Sequence, residues 1–232
     1  MIKNIVLVHG AFADGSSWNK VIRLLQAKDY NVTAVQQPLT SLEDDVAITR
    51  HVLSMQEGPA VLVGHSYGGV IITVAGNAPN VAGLVYIAAY APDEGESISE
   101  LKAHADSAPG GAHVRPDNQG YIWIDRKAFP EFFAGDVDPE EARVMAAVQM
   151  PWKVPANKIS NPAWRSRPSW YQISERDLMI SPELQRFMAK RIGAKTISLA
   201  ASHASPVSCP RQIADLIMDA AVNSPALKVS AA

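Results

Sequence analysis

Ser66 stands in Gly64-His65-Ser66-Tyr67-Gly68, with a glycine two residues to either side. A serine hydroxyl becomes a nucleophile when a base takes its proton and the backbone holds it clear of its surroundings. A strand that turns directly into a helix does the second. It forces the serine into a strained conformation, and side chains two residues away on either side would collide, so glycine is required there. The apolar run Ala60-Val61-Leu62-Val63 before the motif and the helix-like stretch 68–77 after it supply that setting. They weigh against the competing reading, a glycine-rich packing turn with a bystander serine.

Six histidines are available as the base: His9, His51, His65, His104, His113 and His203. His203 follows the last strand-like run in Leu199-Ala200-Ala201-Ser202-His203, at the end of the sheet where ligands bind in this kind of architecture. His51 falls on the polar side of a helix, and His104 and His113 fall in a proline-rich insertion. His9 and His65 read as structural. The base needs an acid to fix its tautomer and stabilise the imidazolium. Asp177 closes "SWYQISERD" and gives the chain order Ser, Asp, His; Glu175 and Asp93 compete for the role. Asp177 has a second candidate role beside the helix that starts near Ser181. An anionic intermediate needs two aligned N–H donors. The Tyr67 amide is one, and His9-Gly10-Ala11-Phe12 supplies the other, with Ala11 preferred to Phe12. Trp123, Trp152 and Trp164 are candidates to line an apolar pocket, with packing between insertion and core as the other role for each.

These residues must be positioned by the elements around them. Apolar runs alternate with amphipathic stretches: strand 4–10, helix 16–28 capped by Ser16 or Ser17, and strand 31–38 stopped by Pro38. Helix 41–55 follows, capped by Ser41 with acids in its first turn and Val46, Val52 and Leu53 inward. Next come strand 59–66, helix 68–77 and strand 81–90. Residues 92–168 break the rhythm, holding nine of the 16 prolines and three of the five tryptophans. Strand 169–177, helix 181–192, strand 194–203 and a closing helix 209–221 resume it, and the tail from Asn223 has no pattern. Strands separated by helices imply right-handed crossovers and a parallel sheet. The expected fold is α/β: a mostly parallel sheet of about six strands flanked by helices, with core segments 1–91 and 169–232. Residues 92–168 form a cap inserted after the fourth strand.

Of the 232 residues 47% are hydrophobic and 19% charged, with a formal net charge of −2. That balance points to no nucleic acid or anionic membrane as a partner. One cysteine, Cys209, excludes a disulfide within the chain, and no Cys/His cluster suggests a metal. The four apolar residues after Asn4 are too few for a signal peptide or a bilayer span, so the expected compartment is the cytoplasm. The insertion is acidic in balance and gives no sign of selecting acidic substrates. Assembly is left open, with a homodimer as one option.

"HGAF", "GHSYGG", "SERD" and the late "SH" together resemble the α/β-hydrolases over nearly the whole chain. "ERDLMISPELQRFM" and "ASHASPVSCPRQIADLI" resemble, more narrowly, the plant methylesterase and hydroxynitrile lyase group. The resemblance implies a shortened sheet, Asp177 as acid, His203 as base, and Gln185-Arg186-Phe187 as a helix signature. Ser202 stands where that group has aspartate. The lyases carry a threonine at the position of Gly10 and a lysine at that of Ala204, and both are missing here. The expected activity is cofactor-free hydrolysis of small carboxylic esters by Ser66, His203 and Asp177. A carbon–carbon lyase and a non-catalytic receptor for a small ligand are the alternatives.

Overall fold

Alternate residues of β1 (Asn4–Val8) serve two different cores. Val6 and Val8 join one apolar cluster and Ile5 and Leu7 the other, which is why the run is continuously apolar. The computed structural model describes residues 1–225. Its main sheet adds β2 (Asn31–Val35), β3 (Ala60–His65) and β4 (Val81–Ile87). A short hairpin, β5 (Val114–Pro116) with β6 (Ile122–Ile124), stands apart in the insertion, and β7 (Ser169–Ser174) and β8 (Lys195–Leu199) complete the main sheet. All six main strands are parallel, in the order β2-β1-β3-β4-β7-β8. The order reverses between β1 and β3, so the loops leaving those two strands diverge around a crevice, as ligand sites in such sheets require.

Helices α1 (Asn19–Gln26) and α9 (Pro210–Asn223) cover one face through Val21, Leu25, Ile213 and Ile217. On the other face lie α2 (Leu42–Ser54), α3 (Gly68–Ala75) and α7 (Pro182–Arg191). The insertion supplies α4 (Ile98–Lys102), α5 (Phe129–Phe132) and α6 (Pro139–Val148), and α8 (Ser205–Ser208) precedes α9. Ile98, Leu101, Phe129, Phe133 and Trp152 of the insertion share one cluster with Val6, Leu62 and Leu84 of the sheet. No helix among the described residues is long and apolar enough to cross a membrane.

Several boundaries differ from expectation. Neither Ser16 nor Ser17 caps a helix by its side chain: Asp14 accepts from the Ser16 N–H at 2.7 Å and starts a 3-10 turn that leads into α1. Asp accepts strongly at such a cap, and the turn buries Trp18. Strand β2 ends at Val35, before Pro38, because Gln36 and Gln37 turn their polar groups to the neighbouring loop. Ser41 does cap α2, accepting from the Asp44 N–H. Asn223 belongs to α9, bonded back to Asp219, while 226–232 lie outside the described residues.

Candidate active site

The turn after β3 holds Ser66 at φ 55°, in the left-handed region that costs a non-glycine residue energy. The surrounding backbone fixes it there: the Ser66 N–H donates to the Ile87 carbonyl, and its own carbonyl accepts from Gly69 and Tyr90. The collision expected from the sequence is visible at Gly68, where a Cβ would lie 2.6 Å from the Val8 carbonyl oxygen. Gly10 plays the matching part in the first loop, since a Cβ there would lie 2.6 Å from Ser66 Cβ. The helix α3 begins two residues after Ser66 and aims its N-terminal dipole at the turn.

His203 arrives on the loop after β8 and Asp177 on the loop after β7. His203 Nε2 lies 2.8 Å from Ser66 Oγ, and His203 Nδ1 lies 2.6 Å from Asp177 Oδ2. A carboxylate oxygen only accepts, so the ring carries its proton on Nδ1 and presents the Nε2 lone pair to the serine hydroxyl. All three side chains are buried. Asp177 is held from three sides: Oδ1 accepts from the Met179 and Ile180 N–H groups, and Oδ2 also accepts from Gln185 Nε2 at 2.8 Å. Ser181, not Asp177, caps α7.

The other candidate acids and histidines lie elsewhere. Asp93 pairs with Arg165 at 2.6 Å and Glu175 pairs with Arg186. His51 and His104 are exposed, and His113 stacks on Phe132. His9 is a buried brace, with Nδ1 on the Gly10 carbonyl and Nε2 accepting from the Gln37 N–H at 2.9 Å. His65 packs directly behind the site, its ring 4.8 Å from that of His203 and its Nε2 donating to the His203 carbonyl. Burial, reinforced by His203, pushes its pKa well below the usual histidine value, so it stays neutral.

A cavity of about 70 Å³ opens above Ser66, bordered by His203, Ala11, Phe12, Tyr67 and Trp152. Among the described residues, the N–H groups of Ala11, Phe12 and Tyr67 donate to no backbone acceptor, and all three residues border the cavity. Trp152 is brought there by pairing with β6: the Ile122 and Trp152 backbones exchange hydrogen bonds at 2.8 and 2.9 Å. Its ring meets Phe12 edge-on at 5.8 Å and tilts over Tyr67 at 4.8 Å. Trp123 and Trp164 do not line this cavity. Trp123 lies half-buried in the hairpin, and Trp164 donates to the Pro92 carbonyl beneath the guanidinium of Arg165. A wider groove of about 190 Å³ between α6 and the turn before α1 shares only Phe12 with the serine's cavity.

Sequence reasoning missed the support beneath Tyr67. Asp45, one of three first-turn acids of α2, is fully buried and accepts from the Tyr67 hydroxyl and the Leu39 N–H, at 2.8 and 2.9 Å. Burial pushes its carboxyl up to about 6. Nothing in a run of Glu43, Asp44 and Asp45 singles out the inward one except its helical phase with Thr49, also buried. Tyr90, Lys102, Met179 and Ile180, which also line the cavity, carried no signal of their own.

A pyrethroid hydrolase of Sphingobium wenxiniae is 28% identical over 94% of this chain and 87% of its own length. Methylesterase 2 of Arabidopsis thaliana is 25% identical over 95% and 97%. The crystal structure of a pyrethroid hydrolase from Sphingobium faniae superposes with a TM-score of 0.84 at 25% identity, covering 96% of this chain and 98% of that one. The model of the alpha/beta hydrolase family matches residues 5–216, and the chain belongs to that family.

Proposed function

We propose that this chain is a carboxylic ester hydrolase in which Ser66 is the nucleophile, His203 the base and Asp177 the acid that orients it. The carrying observation is the unbroken line of hydrogen bonds from Asp177 through His203 to Ser66. The relatives are named for pyrethroid and methyl-ester hydrolysis; what passes to this chain is the shared reaction, cleavage of an ester.

His203 Nε2 takes the Ser66 proton as Oγ bonds to the ester carbonyl carbon. The carbonyl oxygen becomes an anion, stabilised by the Tyr67 amide and by that of Ala11, with Phe12 as the alternative donor. Collapse of the intermediate breaks the bond to the alkoxide, which leaves as the alcohol with the proton from His203. Water then gives a proton to the same nitrogen and attacks the acyl carbon, and Ser66 departs with its proton restored, releasing the carboxylic acid. Trp152 and Phe12 form the apolar wall beside the reacting carbonyl. Residues 92–168 act as the cap, since Lys102, Val114, Ile122 and Trp152 within them line the cavity at Ser66.

No observation favours the lyase or the receptor. Gly10 and Ala204 stand where the resemblance places the lyase's threonine and lysine, and a receptor has no need of an ordered base. Sedimentation decides between monomer and homodimer. Ser66→Ala abolishes turnover of p-nitrophenyl acetate while leaving the circular dichroism spectrum intact, and a fluorophosphonate forms one adduct, on Ser66. Retained turnover, or no adduct, overturns the assignment.

A further inference from the structure

Of the side chains that line the cavity at Ser66, Lys102 alone carries a permanent charge. It is the last residue of α4, and its ammonium stands 5.7 Å from the centre of the buried Tyr90 ring. Lys102 as a whole keeps solvent exposure, yet burial around its amine pushes the pKa down from the usual lysine value. Among the described residues, no carboxylate comes within 4.0 Å of it.

Lys102 also lines a second cavity, of about 110 Å³. Tyr90, Lys102, Gly111, Met179 and Ile180 border both, so the two adjoin as an inner lobe at Ser66 and an outer lobe, with Lys102 among the residues between them. The inner lobe contains no acidic side chain. The outer lobe has one, Asp106, which does not reach the inner lobe and makes no ion pair with Lys102.

An ammonium drawn partly out of water without a counter-charge is costly, and a neutral ester in this cleft leaves it so. A carboxylate on the substrate removes that cost, and it is attracted more strongly here than in bulk water because the local dielectric is lower. We propose that Lys102 binds an anionic group of the substrate, and that the hydrolase prefers esters bearing a free carboxylate, such as half-esters of dicarboxylic acids. The acidic balance of residues 92–168 does not oppose this: of the acids in that segment only Asp106 lines the cleft, and it does so in the outer lobe. The proposal rests on Ser66 marking the ester site and adds the substrate class to it.

Binding tests this without requiring turnover. Ser66→Ala protein is titrated by calorimetry with the monomethyl esters of succinate, glutarate and adipate and with the matching dimethyl esters. At least one half-ester binds about tenfold or more tightly than its diester, the scale expected of a hydrogen bond to a charged group. Adding Lys102→Met removes that preference, and Lys102→Arg, which keeps the charge, retains most of it. Equal binding of half-ester and diester, or a preference that survives Lys102→Met, overturns the proposal. Hydrolysis of neutral p-nitrophenyl acetate by the unaltered protein reports separately on ester cleavage, so the failure of one reading is distinguishable from the failure of the other.

Discussion

Gln185 shows how much of this site depends on a residue that touches no substrate. It is fully buried, donates to Asp177 Oδ2 and to the Ile180 carbonyl, and accepts from the Ser174 N–H. It thereby ties the acid to the end of β7. Gln185→Leu keeps the volume but removes one of the bonds that fix Asp177 Oδ2, leaving the carboxylate held by the Met179 and Ile180 N–H groups and by His203. The expected result is a fall in kcat of about ten- to a hundredfold with little change in KM, as for other small misplacements of reacting groups. A KM effect equal to the kcat effect would instead mark a substrate contact. Asp177→Asn is more severe, since the amide favours the wrong tautomer of His203, and costs about 10⁴ in kcat. Asp93→Asn leaves kcat near that of the parent, because Asp93 is engaged with Arg165; a large loss there would reassign the acid.

Two elements converge on the serine turn, and each has its own test. Helix α3 leaves so close to β1 that Gly68 has no room for a side chain. Gly68→Ala should lower stability by about 1–3 kcal/mol, the usual cost of overpacking, read as a lower urea midpoint with unchanged slope. Helix α2 supports the same turn through Asp45 and Tyr67. Asp45 is held at about 6 in the fold by burial, against roughly 3.9 for an unfolded aspartate. Between about pH 4 and pH 6 the folded state therefore binds more protons than the unfolded chain, so ionisation of Asp45 weakens the fold as pH rises through that window. Asp45→Asn lacks this effect. Relative to the parent, the variant should gain up to about 3 kcal/mol between pH 4 and pH 7, measured as the difference in unfolding free energy. A difference that does not move with pH would mean Asp45 titrates as an ordinary surface acid.

At the scale of the molecule, insertion and sheet share one apolar cluster, so neither has a complete core alone. Urea unfolding should be a single transition, with far-UV circular dichroism and tryptophan fluorescence giving the same midpoint. The probes are well placed for this: Trp18 and Trp170 lie in the core on the far face of the sheet, while Trp123, Trp152 and Trp164 lie in the insertion. Separated midpoints would show the insertion unfolding independently. The same shared packing explains why the cavity above Ser66 is small and why one wall of it, Trp152, comes from the insertion while the other, Phe12, comes from the loop after β1.

Glycines around one serine, continuous apolar strands and stretches of helical period were local signals, and they determined the α/β architecture. Because parallel strands joined by helices all end at one edge of the sheet, they also placed Ser66, Asp177 and His203 at that edge. Chain order and local pattern do not say which side chains touch once the loops at that edge have met. Tertiary structure alone therefore decided that His65 braces His203, that Asp45 rather than Asp44 turns inward beneath Tyr67, and that Trp152 rather than Trp123 or Trp164 reaches the cavity. It also decided where Lys102 lies. The residues between 92 and 168 lack a regular period because their hydrogen bonds are made by short turns and a hairpin, and their side chains find their places only by packing against a sheet encoded elsewhere in the chain.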